Sequence, residues 1–240
     1  MISFERILRV FFPPKCICCD NLVDIDMSYP HICKECKDRV KISPIRICPV
    51  CSRPMDINAY APYCKYCAGE KVKFKYLISP LVYDETGSEI IKKYKFLSRT
   101  EMANSLAVLL WERIKQYNLE TEFDVIIPAP SGKTKGLNLR TEHMKDLCKV
   151  LSRLSGVPYK ELLFKKDKTV SQNSLGAKER KTNLKGKIIY KGGEYNKVLL
   201  VDDVYTTGAT IDESCLMLKK AGCKEIYVGI IAVNINEEFE

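Results

Sequence analysis

The stretch VLLVDDVYTTGAT, residues 198–210, governs how the rest of the chain is read. Val198, Leu199, Leu200 and Val201 form the short unbroken apolar run of a strand buried on both faces. Asp202 and Asp203 follow and are expected to end the strand, which places two carboxylates at its carboxyl end. Thr206, Thr207, Gly208, Ala209 and Thr210 are small, and the glycine lets the backbone turn tightly. Several N–H groups can then converge at the start of the next helix as an anion cradle. Ile211, Cys215, Leu218 and Ala221 mark that helix, and Gly222 is placed to stop it. A phosphate in the cradle and a sugar diol on the carboxylates would suit a 5-phosphoribosyl group. The plainer alternative is a strand-to-helix turn with two solvated capping aspartates. It accounts for neither the adjacent acids nor the Thr-Thr-Gly turn.

Outward from this stretch, strands and helices alternate. Residues 76–83 are apolar and aromatic enough for a strand, and 84–87 read as a turn. Ile90, Ile91, Tyr94 and Leu97 mark one amphipathic helix, and Met102, Leu106, Leu109, Leu110 and Ile114 a second. Residues 125–127 form a buried-type strand that runs into Pro128-Ala129-Pro130, where prolines end the pairing. Leu147, Leu151 and Leu154 indicate a third helix, stopped by Gly156. Further strands are expected near 162–164, 187–190, 198–201 and 226–233. The fold class is therefore α/β, a mostly parallel sheet with helices on both faces. Ligands of such sheets bind at the carboxyl ends of the strands, where 128–132 and 202–210 would both lie.

The amino-terminal third has a different chemistry. Phe4, Ile7, Leu8, Phe11 and Phe12 lie on one helical face, and Pro13-Pro14 ends that segment, a short helix expected to pack on the cysteine-rich residues next in the chain. Those residues hold four cysteine pairs: Cys16 and Cys19, Cys33 and Cys36, Cys48 and Cys51, Cys64 and Cys67. Each C-x2-C pair can put two thiolates on one turn, and two such turns close a tetrahedral Zn²⁺ site with no open position. Two structural zinc sites result, paired in chain order or cross-braced. Cys18 and His31 are spare donors beside them. The boundary is expected near residue 75, giving a zinc module at 1–75 and an α/β domain at 76–240. The module buries too little apolar surface to fold without metal.

Composition narrows the class further. The 240 residues carry a formal charge of +9, and residues 1–76 hold 13 Lys and Arg against 8 Asp and Glu. Eight zinc-bound thiolates would bring the whole chain to about +5. Nucleic-acid binding would then rest on local patches such as Lys71, Lys73 and Lys75 or Lys92, Lys93 and Lys95. Aromatics interleaved with lysines at 73–76 could stack bases of a single strand. No apolar run is long enough for a membrane span, and Glu5, Arg6 and Arg9 interrupt the amino-terminal one, so a cytoplasmic location is expected. Residues 169–183, TVSQNSLGAKERKTN, form a long polar connector that reads equally as a functional lid or a solvated loop. His31 and His143 have no recognisable catalytic context and read as ordinary surface or core histidines.

The 198–210 stretch resembles the phosphoribosyl pyrophosphate (PRPP) signature of type I phosphoribosyltransferases: four apolar residues, two acidic, one variable, then Thr-Thr-Gly. With the cysteine module, Lys95-Phe96, Pro128-Ala129-Pro130, Gln172 with Arg180 and Asn183, the chain is similar to the ComF family of competence-associated, phosphoribosyltransferase-like proteins. The resemblance implies PRPP and Mg²⁺ as ligands, with Asp202 and Asp203 on the ribose hydroxyls and Thr206 to Thr210 on the 5′-phosphate. It further implies Pro130, Ser131 and the Arg180 loop at the pyrophosphate. Catalysis would consist of holding the sugar, stabilising the leaving pyrophosphate and excluding water. The resemblance also implies a role in DNA uptake during natural transformation. Lys135-Gly136-Leu137-Asn138-Leu139 departs from the family's Arg-Gly-Phe-Asn-Gln. Three functions are compatible with these residues: a phosphoribosyltransferase of unknown acceptor, a non-catalytic PRPP or nucleotide sensor, or a zinc-ribbon adaptor for single-stranded DNA and transformation proteins.

Overall fold

The computed structural model describes residues 15–23, 32–50, 52–56, 63–65, 67, 69, 72–97, 100–130, 139–166 and 186–235. In chain order these contain α1 (Lys34–Lys37), β1 (Tyr76–Ile78), β2 (Leu81–Val82), α2 (Glu85–Leu97) and α3 (Thr100–Gln116). Then come β3 (Val125–Pro128), α4 (Leu139–Ser155), β4 (Leu163–Lys165), β5 (Ile188–Tyr190), β6 (Lys197–Tyr205), α5 (Ala209–Lys220) and β7 (Glu225–Val233). The main sheet runs β1-β7-β6-β3, all parallel, and β2 pairs with β7 beyond β1. The expected amino-terminal helix, His31, Cys51, Lys71, Ser131, Arg180 and the 169–183 connector lie outside the described residues.

The two central strands, β6 and β7, have nine residues each and are apolar on both faces because helices cover both. Period-two alternation divides β6. Leu199 and Val201 join Ile90, Tyr94, Leu106, Leu110, Leu147 and Leu151 in the core beneath α2, α3 and α4. Val198 and Leu200 join Ile211, Cys215 and Leu218 of α5 on the other side. Parallel pairing and two helical layers thus agree with the expected fold class.

Three sequence expectations change. Asp202 and Asp203 do not end β6, which continues to Tyr205, because β7 keeps pairing with it: Asp202 opposes Ile230 and Tyr205 opposes Val233. The other neighbour stops sooner. β3 reaches only the Pro128–Val201 pair, followed by an Ala129 N–H bond to the Val201 carbonyl at 2.7 Å. Second, 84–87 is the start of α2 rather than a free turn, since the Asp84 carboxylate accepts the Gly87 N–H at 2.9 Å. Third, β4 and β5 form a separate antiparallel ribbon outside the parallel sheet.

The cysteine-rich segment is stitched to the outer edge of this sheet. Ile42 bridges Leu81 antiparallel, Ser43 N–H donates to the Pro80 carbonyl at 2.9 Å, and Val82 N–H donates to the Lys41 carbonyl at 2.9 Å. The buried Arg113 guanidinium of α3 donates to the Ser43 carbonyl at 2.8 Å. Cys16, Ile17, Ile32, Cys33 and Val40 belong to the same apolar core as α2, α3 and α4. Among the described residues no helix is long and apolar enough to cross a membrane.

Leu110 is fully buried, and its side chain lies against Gly229 of β7, where even an added Cβ would come within 3.3 Å. Leu110→Ala should therefore cost about 2–5 kcal/mol in urea unfolding of zinc-replete protein, because the rigid sheet beneath cannot collapse into the void.

Candidate functional site

The thiols gather into two groups. The sulfurs of Cys16, Cys19, Cys33 and Cys36 lie within 4.8 Å of one another, as do those of Cys48, Cys64 and Cys67. The grouping follows chain order and not a cross-brace. Cys18 stays outside the first group, although it lies between two of its members. Local hydrogen bonds shape each turn: Cys36 N–H and Lys37 N–H donate to the Cys33 carbonyl, and Ser52 N–H donates to the Cys48 carbonyl. Cys33 N–H also donates to the Cys16 sulfur at 3.3 Å, the kind of bond that stabilises a thiolate. The Cys19–Cys33 sulfur separation of 3.6 Å is close to the roughly 3.8 Å edge of a tetrahedral zinc–thiolate site. The donor set therefore fits structural Zn²⁺. Four sulfur ligands would saturate the first group and leave no position for catalysis.

The acid pair lies where β6 has lost β3 on one side. Asp203 N–H donates to Asp202 Oδ1 at 2.9 Å, which folds the Asp202 carboxylate back onto the strand beside the Asp203 amide. Lys95 Nζ, from the last turn of α2, is 2.7 Å from Asp203 Oδ2, and His143 Nε2, from α4, is 3.3 Å from the same oxygen. The His143 ring meets the buried Tyr94 ring edge-on at 5.2 Å, and the Tyr94 hydroxyl donates to the His143 carbonyl. Burial and the neighbouring Asp203 charge push the Asp202 carboxyl up to about 7, against the pull of the Asp203 N–H, Lys95 and Lys165. Burial acts upward on Asp203 too, but His143 and Lys95 outweigh it and hold that carboxyl below its usual range. Burial also lowers the Lys165 ammonium of β4, and the two aspartates partly restore it. One aspartate is thus a firm anion and the other titrates near neutrality.

The loop after β6 turns into α5 at a glycine. Gly208 sits at φ 69°, the left-handed region, and caps α5 with no side-chain hydrogen bond. The first amides of α5 therefore have neither an intrahelical nor a capping partner. A Cβ on Gly208 would stand 2.6 Å from Tyr205 Oη, so glycine is required for space as well as for backbone angle. Tyr205 Oη donates to the Pro49 carbonyl at 3.4 Å, joining the loop to the turn that begins at Cys48. Thr206 is exposed, whereas Thr207 and Thr210 are half-buried and Ala209 is buried. Pro130 is buried just past the end of β3, at the same end of the sheet.

Sequence reading missed Lys95 and His143 as neighbours of the acids. His143 is not an ordinary core histidine. The helical spacing placed Tyr94 in the core, but nothing in the sequence reveals that two separate helices converge on Asp203. The lysine–aromatic run at 73–76 is not a free stacking platform. Lys73 bonds the Asp212 carbonyl, Phe74 is buried, Lys75 pairs with Glu225 at 3.0 Å, and Tyr76 stacks on Tyr227 at 6.1 Å. Of the second lysine patch, Lys93 bonds the Cys18 carbonyl and pairs with Asp20, Lys95 is on Asp203, and Lys92 is exposed.

Residues 7–68 match the double zinc ribbon domain. Competence protein F of Haemophilus influenzae is 28% identical over 226 residues, spanning 91% of this chain and 96% of that protein. Competence protein ComFC of Bacillus subtilis is 23% identical over 225 residues, spanning 86% and 89%. Among solved structures, the glutamine PRPP amidotransferase of B. subtilis superposes at a TM-score of 0.39 and 19% identity, over 58% of this chain and 30% of that one. The chain is an α/β protein with a parallel sheet and an amino-terminal double zinc ribbon module. It is related over most of its length to the ComF family of competence proteins.

The site yields three expected outcomes. A carboxyl raised from about 3.9 unfolded to about 7 folded costs stability that is absent below pH 4, grows between the two values and is complete above pH 7. Asp202→Asn should therefore stabilise the protein at pH 8 by on the order of 2 kcal/mol and give no gain at pH 4, in thermal melts across pH. Asp203→Asn should do the reverse at pH 8, because it leaves Lys95 unpaired. As for the metal, the first cysteine group shares the core of α2–α4. Chelation should release about two Zn²⁺ per chain and lower the main melting transition rather than only loosen a peripheral module.

Proposed function

We propose that this chain is a phosphoribosyltransferase-type protein that binds PRPP with Mg²⁺ at residues 202–210, through an α/β domain at 76–240 held beside a zinc module at 1–75. The observation that carries this reading is a single strand–loop–helix. Two adjacent carboxylates stand on the half-open end of β6, and five residues after Asp203 an uncapped helix begins at a left-handed glycine. Asp202 and Asp203 take the ribose hydroxyls, one as an anion and the other able to donate a proton in a hydrogen bond. The amides at 206–210, with the threonine hydroxyls, take the 5′-phosphate. Pro130, Ser131 and Arg180 are assigned to the pyrophosphate. Bound Mg²⁺ would supply charge neutralisation of the diphosphate. The names of the relatives, competence proteins, favour a role in DNA uptake.

A second reading, a PRPP or nucleotide sensor without chemistry, is favoured by the engagement of Asp203 with Lys95 and His143. Calorimetric titration of zinc-replete protein with PRPP and Mg²⁺ tests both readings. Saturable 1:1 binding that Asp202→Asn and Asp203→Asn each weaken about ten-fold or more is expected, the loss of roughly one charged hydrogen bond. No heat from folded wild type would sink the phosphoribosyl site. Pyrophosphate release in the presence of candidate acceptors separates the enzyme from the sensor.

A further inference from the structure

The ion pair on Asp203 is at odds with an acid pair kept open for a divalent cation. Lys95 Nζ is 2.7 Å from Oδ2, and His143 Nε2 adds a second, longer contact to the same atom. Since a carboxylate oxygen can only accept, the His143 Nε2 carries a proton. Its buried Nδ1 has no hydrogen-bond partner among the described residues, so the contact to Asp203 is the one that orients the ring. Lys95 brings a full positive charge into direct contact with Asp203, with Lys165 acting from further off on both acids.

Three features hold the lysine in place. It lies in the last turn of α2, Tyr94 next to it is fully buried against His143, and Lys93 two residues back is tied to the Cys18 carbonyl and Asp20. Yet the Lys95 side chain is 31% exposed, against 13% for Asp203 and 5% for His143. The ammonium therefore has a way out to solvent that its two partners lack. From this geometry we infer that Lys95 is a built-in counter-ion of the acid pair: it occupies the Asp203 oxygen that a divalent cation would otherwise take, and it must swing away before a metal can bind there. His143 is the positioning residue that keeps that oxygen in place when the lysine leaves. A cation therefore enters this site together with an anionic ligand that can draw the lysine off, not by itself. The link to PRPP rests on the proposed phosphoribosyl site, whereas the masking of Asp203 does not.

Mn²⁺ binding to zinc-replete full-length protein, without PRPP and read by electron paramagnetic resonance, tests the masking alone. Wild type should bind Mn²⁺ weakly. Lys95→Met and Lys95→Gln, the latter keeping a hydrogen-bond donor for Asp203, should bind it about ten-fold or more tightly, since removing a like charge next to a cation site raises its affinity. Lys95→Arg should behave as wild type, and adding Asp203→Asn to either neutral variant should abolish the gain. Folded neutral variants that bind no more tightly than wild type would overturn the inference. So would tight wild-type Mn²⁺ binding that Asp203→Asn removes, a measurement that needs no Lys95 variant to fold. A Mn²⁺ gain without PRPP binding to wild type would support the counter-ion and reject the phosphoribosyl site. PRPP binding with no Mn²⁺ gain would do the opposite.

Discussion

The asymmetry of β6 underlies the rest of the structure. On one side β7 pairs with it along its length to Tyr205, while on the other β3 ends opposite Val201. The last bond from β3 to β6 is the Ala129 N–H to the Val201 carbonyl; Ile126 N–H points the other way, to the Pro158 carbonyl, and on that far side Pro128 and Pro130 have no N–H to offer a further strand. The backbone at 202–205 is consequently held by β7, while among the described residues no strand pairs with it on the β3 side. Functional side chains on a fixed strand with one open edge keep their geometry without filling their own site.

That position creates an electrostatic problem. Two carboxylates on adjacent residues, partly shielded from water, repel each other and lose hydration. The fold answers with cations from two directions, Lys95 from α2 in contact and Lys165 from β4 at longer range. His143 Nε2 adds a donor to the same oxygen as Lys95. The compensation is unequal. Asp203 receives both direct contacts and stays ionised, while Asp202 has an amide hydrogen bond and titrates near neutrality. The pair is thus differentiated before any ligand arrives.

The cysteine module is tied into the same machinery. α2 carries Lys93 to the first cysteine group and Lys95 to Asp203, and Tyr205 at the end of β6 reaches the Pro49 carbonyl beside the second group. A residue that fills the space under Gly208 thus also touches the metal-binding turn. The module is better described as a buttress of the site than as an appendage, and its first group of thiols is part of the core under α2–α4.

Much of this was legible in residues alone. The apolar run at 198–201 gave a strand buried on both faces because such strands need no polar alternation. The C-x2-C intervals gave two metal groups because a short turn can present two thiolates. Gly208 was legible as a turn because only glycine is comfortable in the left-handed region. Other features depend on what comes near in space. The Asp pair inside β6 follows from β7 outlasting β3, and β4 with β5 leaving the sheet follows from antiparallel pairing that periodicity cannot show. The loss of the 73–76 run as a binding surface follows from Glu225, Tyr227 and Asp212 meeting it from more than 130 positions away. Lys95 and His143 on Asp203 are the sharpest case. Local propensity fixes which residues lie on one face of a helix, but which charge meets which is set by helix packing across the sheet, and that is a property of the folded chain alone.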